Sequence, residues 1–129
     1  MKHTFTREER LRSRKAIEAL IKEGATYFSY PLRVTWKITS YPQQYPIQIA
    51  FAVPKKRFKR AVKRNRIKRL LRETHRLNKH TIYAFLAEKN INLNILVVYI
   101  GDDILPYHDI DKKMRGFHRH LMEQLQKTA

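Results

Sequence analysis

Residues 30–38, Tyr-Pro-Leu-Arg-Val-Thr-Trp-Lys-Ile, alternate strictly between apolar and polar positions. Leu32, Val34, Trp36 and Ile38 share one side and Arg33, Thr35 and Lys37 the other, the two-residue period of a half-buried strand. The second side is polar and basic, which suits solvent or a ligand. Ile47 to Val53 reads as another strand, broken by Pro54, and the intervening Thr39–Pro46, with two prolines, reads as a hairpin loop. In Leu93 to Ile100 the unbroken Ile95-Leu96-Val97-Val98 run predicts a strand buried on both faces. A short further strand over Ala25–Phe28 would bring the sheet to four.

The helical period governs the rest. Ile17, Leu20 and Ile21 mark a first helix ending near Lys22, with Gly24 where a left-handed C-terminal cap is wanted. Two starts compete: Thr6 with Glu9 matches a capping box, and Ser13 is an equally good N-cap for a shorter helix. Most of the forty or so residues between the last two strands are helical in pattern. The chain closes on a helix capped by Asp109, with an apolar stripe at Ile110, Met114, Phe117, Leu121 and Leu125; Gly116 weakens it slightly. The expected fold is α+β: a single small domain, a mixed three- to four-stranded sheet packed with helices, in the order helix-strands-helix-strand-helix. We treat residues 1–129 as one domain with loose ends at about 1–8 and 126–129.

Composition sharpens this picture. Apolar residues make up 43% of the 129, enough for a core, and cysteine is absent, so disulfide and thiolate-metal chemistry are excluded. No apolar run approaches a membrane span and the first residues carry no secretion signal, which implies a soluble, cytoplasmic protein. The 28 Lys and Arg outweigh 11 Asp and Glu to give +17, an imbalance that calls for a polyanionic partner. The cations are concentrated: Lys55 to Arg72 contains 11 Lys or Arg and no acid. Solvated helix faces interleave both signs to gain i,i+4 pairs, so this segment reads instead as a phosphate-binding surface.

Its periodicity supports that reading. At 100° per residue, Ile67, Leu70, Leu71 and Thr74 fall on one arc, while Asn65, Arg69, Arg72 and Arg76 fall within about 60° of one another on the opposite side. Lys68 lies beside this ridge and Arg64 and Arg66 flank it. Arginine predominates, and its guanidinium fork suits phosphate and base stacking better than an ammonium does. Lys55, Lys56 and Arg57 follow a strand end, placed to add a second row.

The run Arg64-Asn65-Arg66-Ile67-Lys68-Arg69-Leu70-Leu71-Arg72-Glu73, preceded by Val53-Pro54-Lys55-Lys56 and Arg60-Ala61, resembles the signature of the bacterial ribonuclease P protein component. The match is strong over residues 50–73 and colinear over 11–38 and 93–125. The resemblance implies an accessory subunit of a ribozyme endoribonuclease that removes the 5′ leader from precursor tRNA, with Mg2+ bound mainly by the RNA. Its partners would be the catalytic RNA subunit and precursor tRNA; no protein partner and no membrane are implied. By position, Lys55, Lys56, Arg57, Arg60, Arg64, Asn65, Arg66, Lys68, Arg69, Arg72 and Arg76 would face RNA, with no catalytic residue and no metal ligand among the side chains. A cleft between the first helix and one sheet face would hold the leader, lined by Ile17, Ile21, Arg33 and Thr35. Ile17 and Ile21 stand where the family often carries aromatics, and simple core packing is an equal reading of them. Asp102-Asp103 stands where the family tends to be basic, against an RNA contact at that edge.

Other constellations carry less. The six histidines have no metal-ligand spacing with a third donor (His120 and Glu123 lack one), and read as surface or RNA-contacting residues. No glycine-rich phosphate loop or two-metal carboxylate cluster is present. Tyr27, Phe28, Tyr30, Tyr41 and Tyr45 are base-stackers or, more in keeping with their setting, strand and loop packing. The rival functions are a structural, ribosomal-type RNA-binding protein and a DNA-binding module with the 64–76 helix in the major groove.

Overall fold

The strand with the longest apolar run sits at the centre of the sheet. The computed structural model describes residues 5–40 and 43–128. Its four strands are β1 (Ala25–Ser29), β2 (Leu32–Thr39), β3 (Ile47–Ala52) and β4 (Asn92–Tyr99), arranged β1-β2-β4-β3. β4 pairs antiparallel with β2 and parallel with β3. β4 therefore separates β2 from β3, which do not form the expected hairpin; the hairpin is β1–β2. Ile95, Val97 and Tyr99 on one face and Val98 on the other are buried and Leu96 is half-buried; the central position pairs both edges of this strand, and helices cover its faces.

Three α-helices pack on this sheet: α1 (Arg14–Glu23), α2 (Ala61–Lys89) and α3 (Tyr107–Thr128). The sheet's closed face carries Leu32, Val34, Ile47, Ile49, Ile95 and Val97. Against it pack Ile67, Leu71, Ile82 and Leu86 of α2 and the whole α3 stripe, Ile110, Met114, Phe117, Leu121 and Leu125. Trp36 is half-buried against this core, and Ile38, expected on the same side, remains 45% exposed near the end of β2. α3 starts two residues before Asp109, which lies in the first turn rather than at the cap.

Both competing N-terminal signals operate. Ser13 caps α1, its Oγ accepting from Ala16 N at 3.2 Å, while Thr6 and Glu9 shape a separate 3-10 turn over Arg7–Glu9. Within the end expected to be loose, Phe5 lies against Phe51 and His75, and the Glu9 that follows it is fully buried. Gly24 does not adopt the expected left-handed cap; its φ of −74° and ψ of 158° are extended. A side chain is excluded there by contact instead, since a Cβ would lie 2.5 Å from Leu20 O and 2.7 Å from Thr35 Cγ2. Gly24 is what lets α1 lie directly on β2.

Candidate nucleic-acid interface

The basic segment enters after β3 as an exposed turn and continues into α2, whose apolar arc fixes the helix to the sheet. Not all of its cations are available. Arg64 folds back, donating from Nη1 to Phe58 O and Lys59 O at 2.8 Å each, and so braces the turn before α2. Arg57 pairs with Asp102 at 2.7 Å, which accounts for an acid at that edge. Arg76 is held through two hydrogen bonds by Glu73, one turn back. The ridge expected from periodicity thus loses Arg76 at its far end, and Arg64 and Arg57 drop out of its surroundings. Lys55, Lys56, Arg60, Asn65, Arg66 and Arg69 are exposed, and Lys68 and Arg72 are half-buried along the flank facing β3; among the described residues none of these has an acidic partner. Lys59 and Lys63 extend the surface at the start of α2. They were legible in the charge run but have no place in the 64–76 arc.

Among the described residues, α1 alone covers the other face of the sheet. Leu20 is its anchor, fully buried beside Gly24 and Thr35. One flank of α1, Ala16 and Ala19, lies towards Lys37, Thr39 and Asn94. The opposite flank, Ile17 and Ile21, therefore faces the Arg33 end of β2. Ile21 is 63% exposed and Ile17 half-buried, so the core reading fails for Ile21; Leu20 takes that role. The floor on this side is Thr35, Leu96 and Ala50 in one register row and Arg33, Val98 and Ala52 in the next. Phe28 sits across from Arg33 on the same face and is 64% exposed. Alternation along β2 gave no hint of this, because the side chain belongs to the short strand β1. Tyr27, by contrast, packs on Phe117 and His120, and Tyr45 lies beside Tyr83. Tyr30 is exposed, and Tyr41 lies outside the described residues.

β3 and β4 run parallel, so both end at the Arg33 side, where the chain passes into Lys55–Arg57. The groove beside Ile17 and Ile21 thus opens onto the basic turn. An apolar strip with one free aromatic ring meets a row of unpaired cations, the combination that holds single-stranded nucleic acid.

Two histidines depart from the surface reading. His75 and His118 are buried with rings 5.9 Å apart, between α2 and α3. Burial pushes the His118 imidazole down to about 4 and His75 well below its ordinary range, so both are neutral at pH 7. Next to them Glu9 is fully satisfied: Oε1 accepts from Thr6 N and Oγ1, and Oε2 from Lys79 Nζ and Tyr83 Oη, both at 2.6 Å. Burial alone would raise the Glu9 carboxyl, but the hydrogen bonds from Lys79, Thr6 and Tyr83 together hold it below its usual range. Among the described residues no three metal-ligating side chains come together.

The sequence profile of the Ribonuclease P family matches residues 5–122. A ribonuclease P protein component from Porphyromonas gingivalis is 37% identical over 111 residues, 86% of this chain and 81% of that protein. One from Chlorobium phaeobacteroides is 33% identical over 107 residues, 77% of this chain and 73% of its own. The fold matches the RNase P protein of Thermotoga maritima with a TM-score of 0.70 at 21% identity, covering 87% of this chain and 96% of that one. For the Staphylococcus aureus RNase P protein the TM-score is 0.68 at 19% identity, covering 84% and 90%. A ribosomal-type structural role does not account for a family match of this extent. The chain belongs to the ribonuclease P protein family.

Proposed function

We propose that this subunit of the ribonuclease P endoribonuclease divides two RNA contacts between two surfaces. Catalytic RNA lies on the unpaired cations of the basic turn and α2, namely Lys55, Lys56, Arg60, Arg66, Lys68, Arg69 and Arg72, with Asn65 among them. The single-stranded 5′ leader of precursor tRNA lies in the groove of Ile17, Ile21, Arg33 and Thr35, where Phe28 supplies the stacking face that the two isoleucines lack. The observation that carries this is the meeting of groove and basic turn at the ends of β3 and β4. Arg57, Arg64 and Arg76 act mainly within the protein, holding Asp102, the turn carbonyls and Glu73.

No side chain acts as acid, base or nucleophile; hydrolysis of the phosphodiester belongs to the RNA. The acids nearest the basic surface do not fit a protein-held Mg2+: Asp102 and Glu73 are each engaged by an arginine, and among the described residues Asp103 belongs to no group of three metal-ligating side chains. Magnesium sits on the RNA, and the protein contributes by neutralising phosphates, so that the RNA folds against less repulsion and needs less of the ion to do so. No helix among the described residues is long and apolar enough to cross a membrane, which accords with work in the cytoplasm on tRNA precursors.

Reconstitution tests this. The protein, a bacterial ribonuclease P RNA and a precursor tRNA are combined at low magnesium, and cleavage at the mature 5′ end is followed. Faster cleavage than with RNA alone is expected; equal rates would refute the reading.

A further inference from the structure

A second groove, on the outer edge of β3, has a composition unlike the rest of the surface. It holds about 260 Å³ between the N-terminal segment and α2. Leu11, Ile49 and the rings of Phe5 and Phe51 form its apolar lining, and both rings are only half-buried, so part of each remains open. Four cations stand around it: Arg10 and Arg12 from the N-terminal segment, Lys68 and Arg72 from α2. No acid lines the groove, and among the described residues none of the four has an acidic partner. Arg10 lies over the Phe5 ring, 5.6 Å from its centroid, which keeps the guanidinium at the rim rather than free in solvent.

The fold holds this arrangement in place. Leu11 N donates to Ile49 O at 3.0 Å, and a parallel bridge joins Arg10 to Ile49, so the N-terminal segment is stitched to the β3 edge. Two residues earlier the buried Glu9 ties the same segment to Lys79 and Tyr83 of α2. Burying an ion pair is rarely a source of net stability. Here it sets the distance between Arg10 and Arg12 on one wall and Lys68 and Arg72 on the other.

We infer that this groove takes an unpaired nucleotide of the catalytic RNA, its base against the Phe5 and Phe51 side and its flanking phosphates on the four cations. An aromatic and aliphatic floor with guanidinium rims suits a stacked base in a single strand. Lys68 and Arg72 belong also to the face of α2 assigned above to catalytic RNA, so a strand leaving that face meets the groove without a break. The inference rests on that assignment and extends the RNA surface past the 55–76 segment to residues 5–12.

The test uses the full chain with ribonuclease P RNA, precursor tRNA and mature tRNA. Arg10→Ala with Arg12→Ala removes one wall at two exposed positions, and circular dichroism with a melting curve verifies the fold. Catalytic-RNA affinity is expected to fall roughly tenfold or more, tenfold being the lower end of what one charge-assisted contact contributes. The slope of log affinity against log salt is expected to become shallower by ~1.4–1.8. Phe5→Ala is expected to weaken the same RNA without changing the slope, since it removes stacking and no charge. A nucleotide protected by the parent from chemical probing and exposed in both variants would identify the occupant. Unchanged affinity, slope and protection in a folded variant would overturn the inference. So would a loss confined to the preference for precursor over mature tRNA, which would place the leader in the groove instead. Failure of the parent protein to bind the RNA at all would strike the proposed function itself.

Discussion

The two faces of the sheet are built from the same alternating strands and end in opposite states. One is closed by α2 and α3, a 29-residue and a 22-residue helix, and holds nearly all the buried apolar side chains. The other receives α1 alone, 10 residues long and anchored by Leu20, with apolar side chains left in the open at Ile21 and Phe28. Exposed apolar residues beside unpaired cations cost solubility and stability and persist where a ligand covers them. The closed face supplies the fold and the open one keeps apolar surface for a ligand, while the cations of α2 stand on that helix's outer side.

The comparison can be broken most forcefully at Phe117. Truncation to Ala removes a fully buried ring from the closed face and is expected to cost ~3–5 kcal/mol of stability in urea denaturation. A loss below 1 kcal/mol would mean the closed face is not the core it is taken to be.

Acid should open the same face next. His118 is neutral when folded, with its pKa lowered from 6.5 to about 4 by burial, so the unfolded chain binds its proton first. Its contribution to stability is fully present above about pH 6.5 and is lost as pH falls towards 4, amounting to about 3 kcal/mol at the lower limit. His75, shifted in the same direction by burial, adds to the loss. His118→Gln should flatten the fall in melting temperature between pH 6.5 and 4; an equally steep fall in a folded variant would assign it elsewhere.

The open face should respond in binding and hardly in stability. Phe28→Ala is expected to narrow the preference for precursor over mature tRNA by ~1–3 kcal/mol, the usual worth of one stacked base. An unchanged preference would leave Phe28 outside the leader track. The smallest expected effect is the sharpest contrast with Phe117: Ile21→Ala, at an exposed position, should change folding stability by no more than about 0.5 kcal/mol. Destabilisation of several kcal/mol would return Ile21 to the core and close the groove.

Local chemistry determined a good deal here. The α3 stripe, the existence of β4, the Ser13 and Thr6 caps and the apolar arc of α2 follow from period and side-chain type, because each rests on neighbours within a turn or a strand, while the second face of β4 is only partly buried at Leu96. The charge run declared a polyanion partner for the same reason. What lay beyond the sequence depended on contacts between distant segments. Nothing in residues 39–46 says that β4 will separate β2 from β3. Gly24 carries the composition of a left-handed cap, yet the approach of Thr35 is what requires it. Arg57 reads as a free cation until the fold brings it Asp102 from 45 residues away, whereas the Glu73–Arg76 pair is local to one turn of α2. Glu9 reads as a capping-box partner of Thr6, and only the fold brings Lys79, 70 residues away, to bury it as an ion pair. Periodicity tells which side of an element is apolar; only packing decides which charge meets which partner, because those distances are set by the assembled sheet and not by the chain.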